Sequence, residues 1–219
     1  MKKNIVILFM FMFSVCALAQ GTLKDALDYL PFSELPYDAK KGVPYTNTYG
    51  IQNIGGVIPN RLYKNVQCTD YFLTDDADTS PVVYGKFKMP GSSNVLLAVS
   101  FGGVTDWMTD VLVIVDASGK ILDSLEANVW YFPGIPIKQY RIGSGALVIV
   151  SVLEPISAES IPLDSFTQFK GNRVDYTYRI VDEKFTLVAK RKFEERVYTK
   201  AQLSSRTYNL WDGNEQPVD

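Results

Sequence analysis

Much of the second half of the chain has the short apolar and polar period that is typical of β-strands. Residues 174–180 alternate cleanly, which indicates a strand with one face in water. Residues 94–99, 111–115 and 146–150 are apolar at almost every position, so other parts of the protein must cover both faces of these strands. The pattern therefore predicts a sheet whose central strands are enclosed.

Eight strands follow from this pattern, in two sets of four joined by turn-forming residues. The first set covers residues 82–89, 94–101, 110–116 and 120–127, and the second covers residues 137–142, 146–153, 174–180 and 184–193. We predict an all-β fold, either a two-sheet antiparallel β-sandwich or a blade-like stack of two four-strand meanders. It forms a single domain over residues 20–219, with an irregular wrapping segment at 20–80 and meanders at 81–127 and 137–193.

A short N-terminal helix completes the predicted fold. Thr22 and Asp25 are spaced as in a capping box, and Ala26, Leu27 and Leu30 share one face of the helix that follows. The next segment, residues 31–65, is rich in Pro, Gly, Asn and Tyr. We expect it to be irregular, with one or two short strands.

The first 19 residues have the parts of a cleavable secretory signal. Two lysines precede an apolar segment, and residues 17–19 place small side chains at alternate positions before the cleavage point. The apolar stretch 5–19 is 15 residues long, shorter than the roughly 20 needed to span a bilayer as a helix. We expect a mature protein that begins at Gln20, is exported to the periplasm or beyond the cell, and spans no membrane after processing.

Cys16 offers an alternative route, in which the exported protein carries a lipid anchor. Lipoprotein signals place a small residue directly before the modified cysteine, whereas this chain has Val15 at that position. The lipid-anchored form is therefore the less favoured of the two.

Charge and composition exclude several classes of function. Loss of residues 1–19 removes two lysines and takes the formal charge from −2 to −4, which gives nucleic acid no electrostatic attraction. The chain contains no histidine, which rules out Ser-His-Asp triads, Cys-His dyads and His-ligated zinc. We expect no cofactor, and any catalysis would depend on carboxylates, Tyr, Lys or a calcium-like ion.

Cys68 is the single cysteine that the mature chain keeps, so no internal disulfide can form. It alternates with Val66 in a strand-like stretch. A lone exposed thiol is a liability in an oxidising compartment, so we expect Cys68 to be buried and structural.

An acidic segment precedes the first strand and has two interpretations. Asp75, Asp76 and Asp78 are close enough in sequence to offer oxygen ligands to a hard cation such as calcium. The spacing does not match an EF-hand, because no glycine occupies the sixth position. A solvated acidic turn is the favoured interpretation, and a metal site is the alternative.

The strand order of a meander predicts where a ligand site would lie. Successive turns alternate between the two ends of the sheet, so the turns at 90–93, 117–119, 143–145 and 181–183 share one end. The connections at 102–109, 128–136 and 154–173, together with the acidic segment, share the other end, which we call the rim. The candidate ligand-binding residues Asp106, Trp107, Trp130 and Tyr131 all belong to it. For the aromatic residues 130–132, the favoured interpretation is that they close the open end of the stack, and contact with a sugar or a partner is the alternative.

Three features together resemble exported proteins of unknown function from Gram-negative gut bacteria. They are the export signal, the Leu-Pro-Phe and Leu-Pro-Tyr stretch at 30–37, and the strand ending Asp-Ala-Ser-Gly-Lys-Ile-Leu at 116–122. Residues 178–185 carry a similar strand–turn–strand element. The resemblance implies export and assigns a role to no residue.

These observations favour an exported, non-catalytic binding or interaction domain, whose partner is a glycan, a peptide or an envelope protein. One alternative is a carboxylate-based hydrolase that uses Asp106 with Glu154 or Asp164, which requires two opposed carboxylates roughly 5–10 Å apart. The other is a structural or assembly protein of the cell envelope. No sequence motif names a reaction, so all three remain open at this stage.

Overall fold

A computed structural model describes residues 22–39, 48–51, 81–102, 107–131, 135–154 and 166–218. The first described element is helix α1, Leu23–Tyr29, with Thr22 as its N-cap. The Thr22 hydroxyl accepts a hydrogen bond from the Asp25 N–H, and the Asp25 side chain accepts one from the Thr22 N–H, so the predicted capping box is confirmed.

Strands make up most of the remaining structure. Two short ones, β1 (Tyr37–Asp38) and β2 (Tyr49–Gly50), lie in the segment that was predicted to be irregular. The main strands are β3 (Val82–Lys88), β4 (Val95–Gly102), β5 (Trp107–Val115), β6 (Ile121–Tyr131), β7 (Ile135–Ile142), β8 (Val148–Glu154), β9 (Gln168–Val181) and β10 (Lys184–Thr199). The helix α2 (Lys200–Ser204) and the strand β11 (Pro217–Val218) follow.

Each of the main strands pairs antiparallel with the next one in sequence. The order across the sheet is β11-β10-β9-β8-β7-β6-β5-β4-β3-β2. The described residues therefore form an all-β, antiparallel structure with two short helices, and all eight predicted strands are present. The up-and-down order also confirms that successive connections alternate between two ends of the sheet.

Among the main strands β3 to β10, the shortest pairing lies in the middle of the sheet, between β6 and β7. These strands share three residue pairs, Val129 with Lys138, Trp130 with Pro136 and Tyr131 with Ile135, whereas β5 and β6 share nine. Beyond the three pairs, β1 occupies the edge of β7, and the Ala39 N–H donates to the Tyr140 carbonyl at 3.0 Å. The two strands separate there, and the N-terminal segment supplies the missing hydrogen bonds.

The largest apolar cluster lies on one face of the sheet, which we call the inner face. It includes side chains from β3 to β8, with Phe87, Leu96, Leu112, Ile114, Tyr140 and Ile142 among its buried members. Tyr84 of β3 and Tyr140 of β7 join their hydroxyls at 2.8 Å although three strands separate them in the sheet order. The sheet therefore curls tightly about this face.

Two smaller clusters cover the opposite, outer face. Helix α1 packs there against β4 and β5, in a cluster with Leu23, Leu27, Leu97, Val99, Val111 and Val113. The turn after β5 meets the helix closely: Gly119 has a φ of +83°, and a Cβ at this position would lie 2.6 Å from the Lys24 backbone nitrogen. A glycine is required there both for its backbone conformation and for the close approach.

The C-terminal strap, residues 200–218, covers the outer face of β7 to β10. Its apolar residues Leu203 and Leu210 pack with Val129, Ile137, Leu153 and Tyr198. The strap ends in β11, which pairs with Lys192 and Phe193 of β10. Among the described residues, no helix combines the length and apolar character needed to cross a membrane.

Candidate functional site

The rim brings together the backbones of three residues proposed for ligand binding. Trp107 at the start of β5 pairs with Tyr131 at the end of β6, and the adjacent pair joins Met108 with Trp130. Gly119 lies in the turn at the other end of the same two strands. The sheet thus places Trp107, Trp130 and Tyr131 at one end and Gly119 at the opposite end, as the meander predicted.

Trp130 carries an unusual polar group at the rim. Its side chain is half-buried, and the indole Nε1 is buried with no hydrogen-bond partner among the described residues. Because side chains two apart in a strand share a face, Trp130 lies on the inner face with Asn128. A buried donor without an acceptor costs free energy, and the described residues supply no acceptor for this N–H.

A buried polar cluster lies on the inner face, two positions from Trp130 along β6. At its centre is Asp110, 1% exposed, which accepts hydrogen bonds from the Tyr84 hydroxyl at 2.9 Å and the Asn128 amide at 2.7 Å. Ser100 also hydrogen-bonds to this carboxyl group. The side chains of four neighbouring strands, β3 to β6, therefore meet at Asp110, and Tyr84, Asn128 and Ser100 are all uncharged partners.

Asn128 connects the Asp110 cluster to β7 at the point where β6 and β7 separate. Its amide nitrogen donates to Asp110, and its carbonyl oxygen accepts the Tyr140 N–H at 3.0 Å. The side chain thereby takes the place of the next backbone hydrogen bond between the strands. Asn128 therefore connects the buried Asp110 carboxyl group to the point where the short pairing between β6 and β7 ends.

Burial dominates the electrostatics of the Asp110 cluster. Loss of solvation raises the pKa of Asp110 above its ordinary value, and the bonds from Ser100, Asn128 and Tyr84 oppose that rise only in part. Burial also raises the pKa of Tyr37, which faces the same cluster, to about 12, and the charge of Asp110 adds to the effect. The cluster therefore favours an uncharged carboxyl group.

Several candidate residues lie outside the described residues. They are Asp75, Asp76 and Asp78 of the proposed metal site, Asp106 of the proposed ligand site, Cys16, Cys68, and Asp164 of the hydrolase alternative. The signal segment 1–19 lies outside them as well. Their proposed roles stay predictions.

The prediction that Trp107, Trp130 and Tyr131 belong to loops was wrong. Strand β6 continues to Tyr131 and β5 begins at Trp107, because aromatic residues favour strands and these two segments pair directly. The connections 103–106 and 132–134 are therefore shorter than predicted. The described part of the rim therefore consists of strand ends.

A second polar cluster, which the sequence reasoning missed, lies on the outer face under the C-terminal strap. Asp175 accepts bonds from Ser151 at 2.8 Å and Arg141 at 3.1 Å, and its carboxylate lies 3.2 Å from Arg173 Nε. The strap backbone joins the cluster at Leu210, whose N–H donates to Gln139 and whose carbonyl accepts from Arg173. The one signal in the sequence is a set of polar residues at alternate positions in otherwise apolar strands.

Glu215 fixes the strap to the sheet. Its carboxylate accepts a hydrogen bond from Arg196 at 2.8 Å and lies 3.9 Å from Arg173, while its side chain is 4% exposed. Burial alone would raise the pKa of Glu215, but the Arg196 hydrogen bond and the two positive charges outweigh burial, and the pKa is lowered. Glu215 is therefore held in its charged form.

Two further carboxyl groups of the described residues take part in ion pairs. Glu154 of the hydrolase alternative lies 3.8 Å from Lys192, and the buried Glu126 pairs with Lys138. In the described part of the chain, no group of three or more Asp, Glu, Cys or His residues is placed to hold a metal ion. Because Asp106 and Asp164 lie outside the described residues, the hydrolase alternative stays a prediction.

Comparisons of the chain with protein-family models, with curated proteins and with solved structures find no match.

Proposed function

We propose that the chain is an exported, non-catalytic binding domain whose ligand contacts the rim at the ends of β5 and β6. The partner is a glycan, a peptide or an envelope protein. The observation that carries the proposal is the Trp130 indole N–H, which is buried at a strand end without an acceptor among the described residues. Trp107 and Tyr131, which are partners across the antiparallel strands β5 and β6, add two aromatic residues at the same end.

We also propose that the curled sheet forms a two-layer stack in which β3–β6 face β7–β10. Three contacts support this arrangement. Tyr37 lies between Phe87 and Tyr140, with ring centroids 4.9 and 6.1 Å away. The Phe185 N–H donates to Asp123 at 2.8 Å, and Asn94 donates to Glu183 at 2.8 Å. The short pairing between β6 and β7 would then be the corner that joins the layers.

The test compares Trp130→Phe with Trp211→Phe in binding assays. The probes are neutral oligosaccharides of defined length, a peptide library and a washed envelope fraction. Phenylalanine keeps an aromatic ring but removes the indole N–H, so a ligand that accepts this hydrogen bond should bind about five- to tenfold more weakly to Trp130→Phe. Trp211, which stacks on Arg141 with 4.8 Å between guanidinium and ring, is the matched control away from the rim.

Equal affinity of both variants and the unaltered protein for every probe that binds would overturn the rim as the site. Export is tested separately by cell fractionation and by the N-terminal mass of the recovered protein. Recovery of a chain that begins at Gln20 supports export with cleavage. A lipidated Cys16 would replace cleavage after Ala19 with anchoring, and an intact chain in the cytosol would contradict export.

A further inference from the structure

The strand β10 contains an exposed stretch that a strand inside a sheet would not have. All seven residues from Thr186 to Lys192 are exposed. In a strand with one covered face, every second side chain would be buried. This part of β10 therefore has neither face fully covered.

One backbone edge of the same stretch is also unpaired. On one side, β10 pairs with β9 from Lys184 to Thr199. On the other side, β11 covers Lys192 and Phe193, and Asp123 accepts the Phe185 N–H. Between these two points no described strand pairs with β10, so the backbone N–H and C=O groups on this edge have no strand partner in the described structure.

Two exposed apolar side chains lie in the middle of this unpaired stretch. Leu187 is 50% exposed and Val188 is 48% exposed. They are two of the seven large apolar residues that are exposed in the described part of the chain. Their position on an unpaired strand edge makes them available to a partner.

The charges along the edge are mostly positive. Residues 179–192 hold five cations, Arg179, Lys184, Lys190, Arg191 and Lys192, and two anions, Asp182 and Glu183, for a net charge of +3 in a chain of formal charge −2. Pairing with a second copy about the point between Leu187 and Val188 would set Lys184 opposite Arg191. Like charges in facing positions disfavour that pairing, whereas an acidic strand would be attracted.

We propose that the free edge of β10 binds an acidic, extended segment of a partner protein by strand addition. The partner's backbone pairs with β10, its apolar side chains contact Leu187 and Val188, and its carboxylates lie near Lys184, Lys190 and Arg191. The edge already accepts one added strand of this kind, because β11 pairs antiparallel with it immediately beside the free stretch. The partner strand would follow the same edge where β11 stops.

A bulge at Val188 interrupts the regular pairing of β10 in the middle of the free edge. The register with β9 shifts between Leu187 and Ala189, which twists the edge locally. Bulges and lysines on an edge protect a protein from pairing with its own copies. The same features leave the edge open to a strand of opposite charge, which gives the surface its selectivity.

The experiment measures binding of the full chain to a fluorescent peptide that alternates Glu and Val over eight residues. Two control peptides accompany it: a Lys and Val version, and a Glu and Val version with N-methyl groups on alternate backbone nitrogens. The proposal predicts that either control binds at least about tenfold more weakly, since one loses charge attraction and the other loses backbone pairing. These controls change the probe alone, so they do not depend on a variant's folding.

Protein variants locate the site. Lys190→Glu combined with Arg191→Glu should weaken binding by about tenfold or more, and added salt should weaken binding to the unaltered chain. Arg206→Glu, an exposed charge reversal on the strap, should change the affinity by less than about twofold.

Three results would overturn the proposal. Equal binding of the N-methylated and unmethylated peptides would show that no strand is added. Binding to phosphatidylglycerol vesicles, lost in the Lys190→Glu and Arg191→Glu variant, without any peptide binding would assign the surface to anionic lipid. A dimer in sedimentation equilibrium that Leu187→Lys dissociates would assign the edge to a second copy of this chain.

Discussion

Buried carboxyl groups lie on both faces of the sheet, and the two faces hold them in different ways. On the inner face, Asp110 contacts hydroxyl and amide groups of Tyr84, Asn128 and Ser100. On the outer face, Glu215 contacts the guanidinium groups of Arg196 and Arg173. Neutral partners compensate for little of the free energy that is lost when a charge is buried, whereas cationic partners compensate for more of it.

The difference predicts opposite responses to pH. The pKa of Asp110 is raised in the folded protein, so its contribution to stability is present at low pH and is lost as the pH rises through that pKa. The pKa of Glu215 is lowered, so its contribution is present above the ordinary value of 4.5 and is lost as the pH falls through the lowered pKa. Each of the following changes tests one side of this comparison.

The largest expected effect is that of Glu215→Gln. Removal of the carboxylate leaves Arg196 without its anion and leaves Arg173 with Asp175 alone, which should cost about 3 kcal/mol of unfolding free energy at neutral pH. Urea denaturation measures the loss. Glu195→Gln, at an exposed carboxylate 3.5 Å from Lys170, is the control and should leave stability unchanged. Equal stability of both variants would mean that the ion pairs of Glu215 do not hold the strap in place.

Gly213→Ala should destabilise the same ion pair without changing any charge. An added Cβ would lie 1.8 Å from Glu215 Oε2 and 2.1 Å from the Arg196 guanidinium, so the pair must move. We expect a loss of about 2 kcal/mol in thermal or urea denaturation. Gly145→Ala, where nothing lies within 4 Å of the new Cβ, is the control. A loss of the same size in both variants would show that the effect comes from glycine itself.

On the inner face, Asp110→Asn should stabilise the protein at alkaline pH. Asparagine keeps an acceptor oxygen for Tyr84 and Asn128 but cannot ionise, so the gain should be about 1.5 kcal/mol at pH 8 and vanish near pH 4. Urea denaturation across this range gives the profile. Some dependence should remain, because burial also raises the pKa of Glu126 against the opposing charge of Lys138. A variant less stable than the parent at every pH would contradict a raised pKa of Asp110.

The smallest effect is expected for Tyr84→Phe. It removes a hydroxyl that donates to Asp110 and is joined to the Tyr140 hydroxyl, at a cost of about 1 kcal/mol. Because that bond lowers the pKa of Asp110, its loss should raise the pKa further and carry the alkaline loss of stability to higher pH. A stability profile against pH that keeps the parent's shape would show that Tyr84 does not act through Asp110.

The sequence predicted the strands well, because each one combines a regular apolar pattern with a turn at its end. It predicted the ends of those strands less well at the rim. Trp107 and Tyr131 looked like loop residues, since Gly and Pro lie close by, but their pairing extends β5 and β6. Local signals describe turns, whereas cross-strand pairing decides how far a strand continues.

The sequence predicted at which end of the sheet the candidate residues lie, but it did not predict the polar contacts found there. Meander order was enough to put Trp107 and Trp130 at the same end. The unpaired indole N–H of Trp130 and the Asp110 cluster depend on contacts between distant strands, which no spacing in the sequence encodes. The outer cluster under the strap was missed for the same reason, because Glu215 is 42 residues from Arg173.

The insertion of β1 beside β7 has a consequence for the order in which the protein folds. Tyr37 pairs with Ile142, 105 positions later in the chain, so a segment made early waits for a strand made much later. Closing so long a loop costs conformational entropy, and the contacts between β1 and β7 can compensate for that cost only after β7 has formed. Until then the Tyr140 carbonyl and the neighbouring edge of β7 lack the hydrogen bonds that β1 supplies, next to the short pairing between β6 and β7. We therefore expect a partly folded chain to be open to pairing with a wrong strand at this edge. Pairing of β1 with β7 closes the edge.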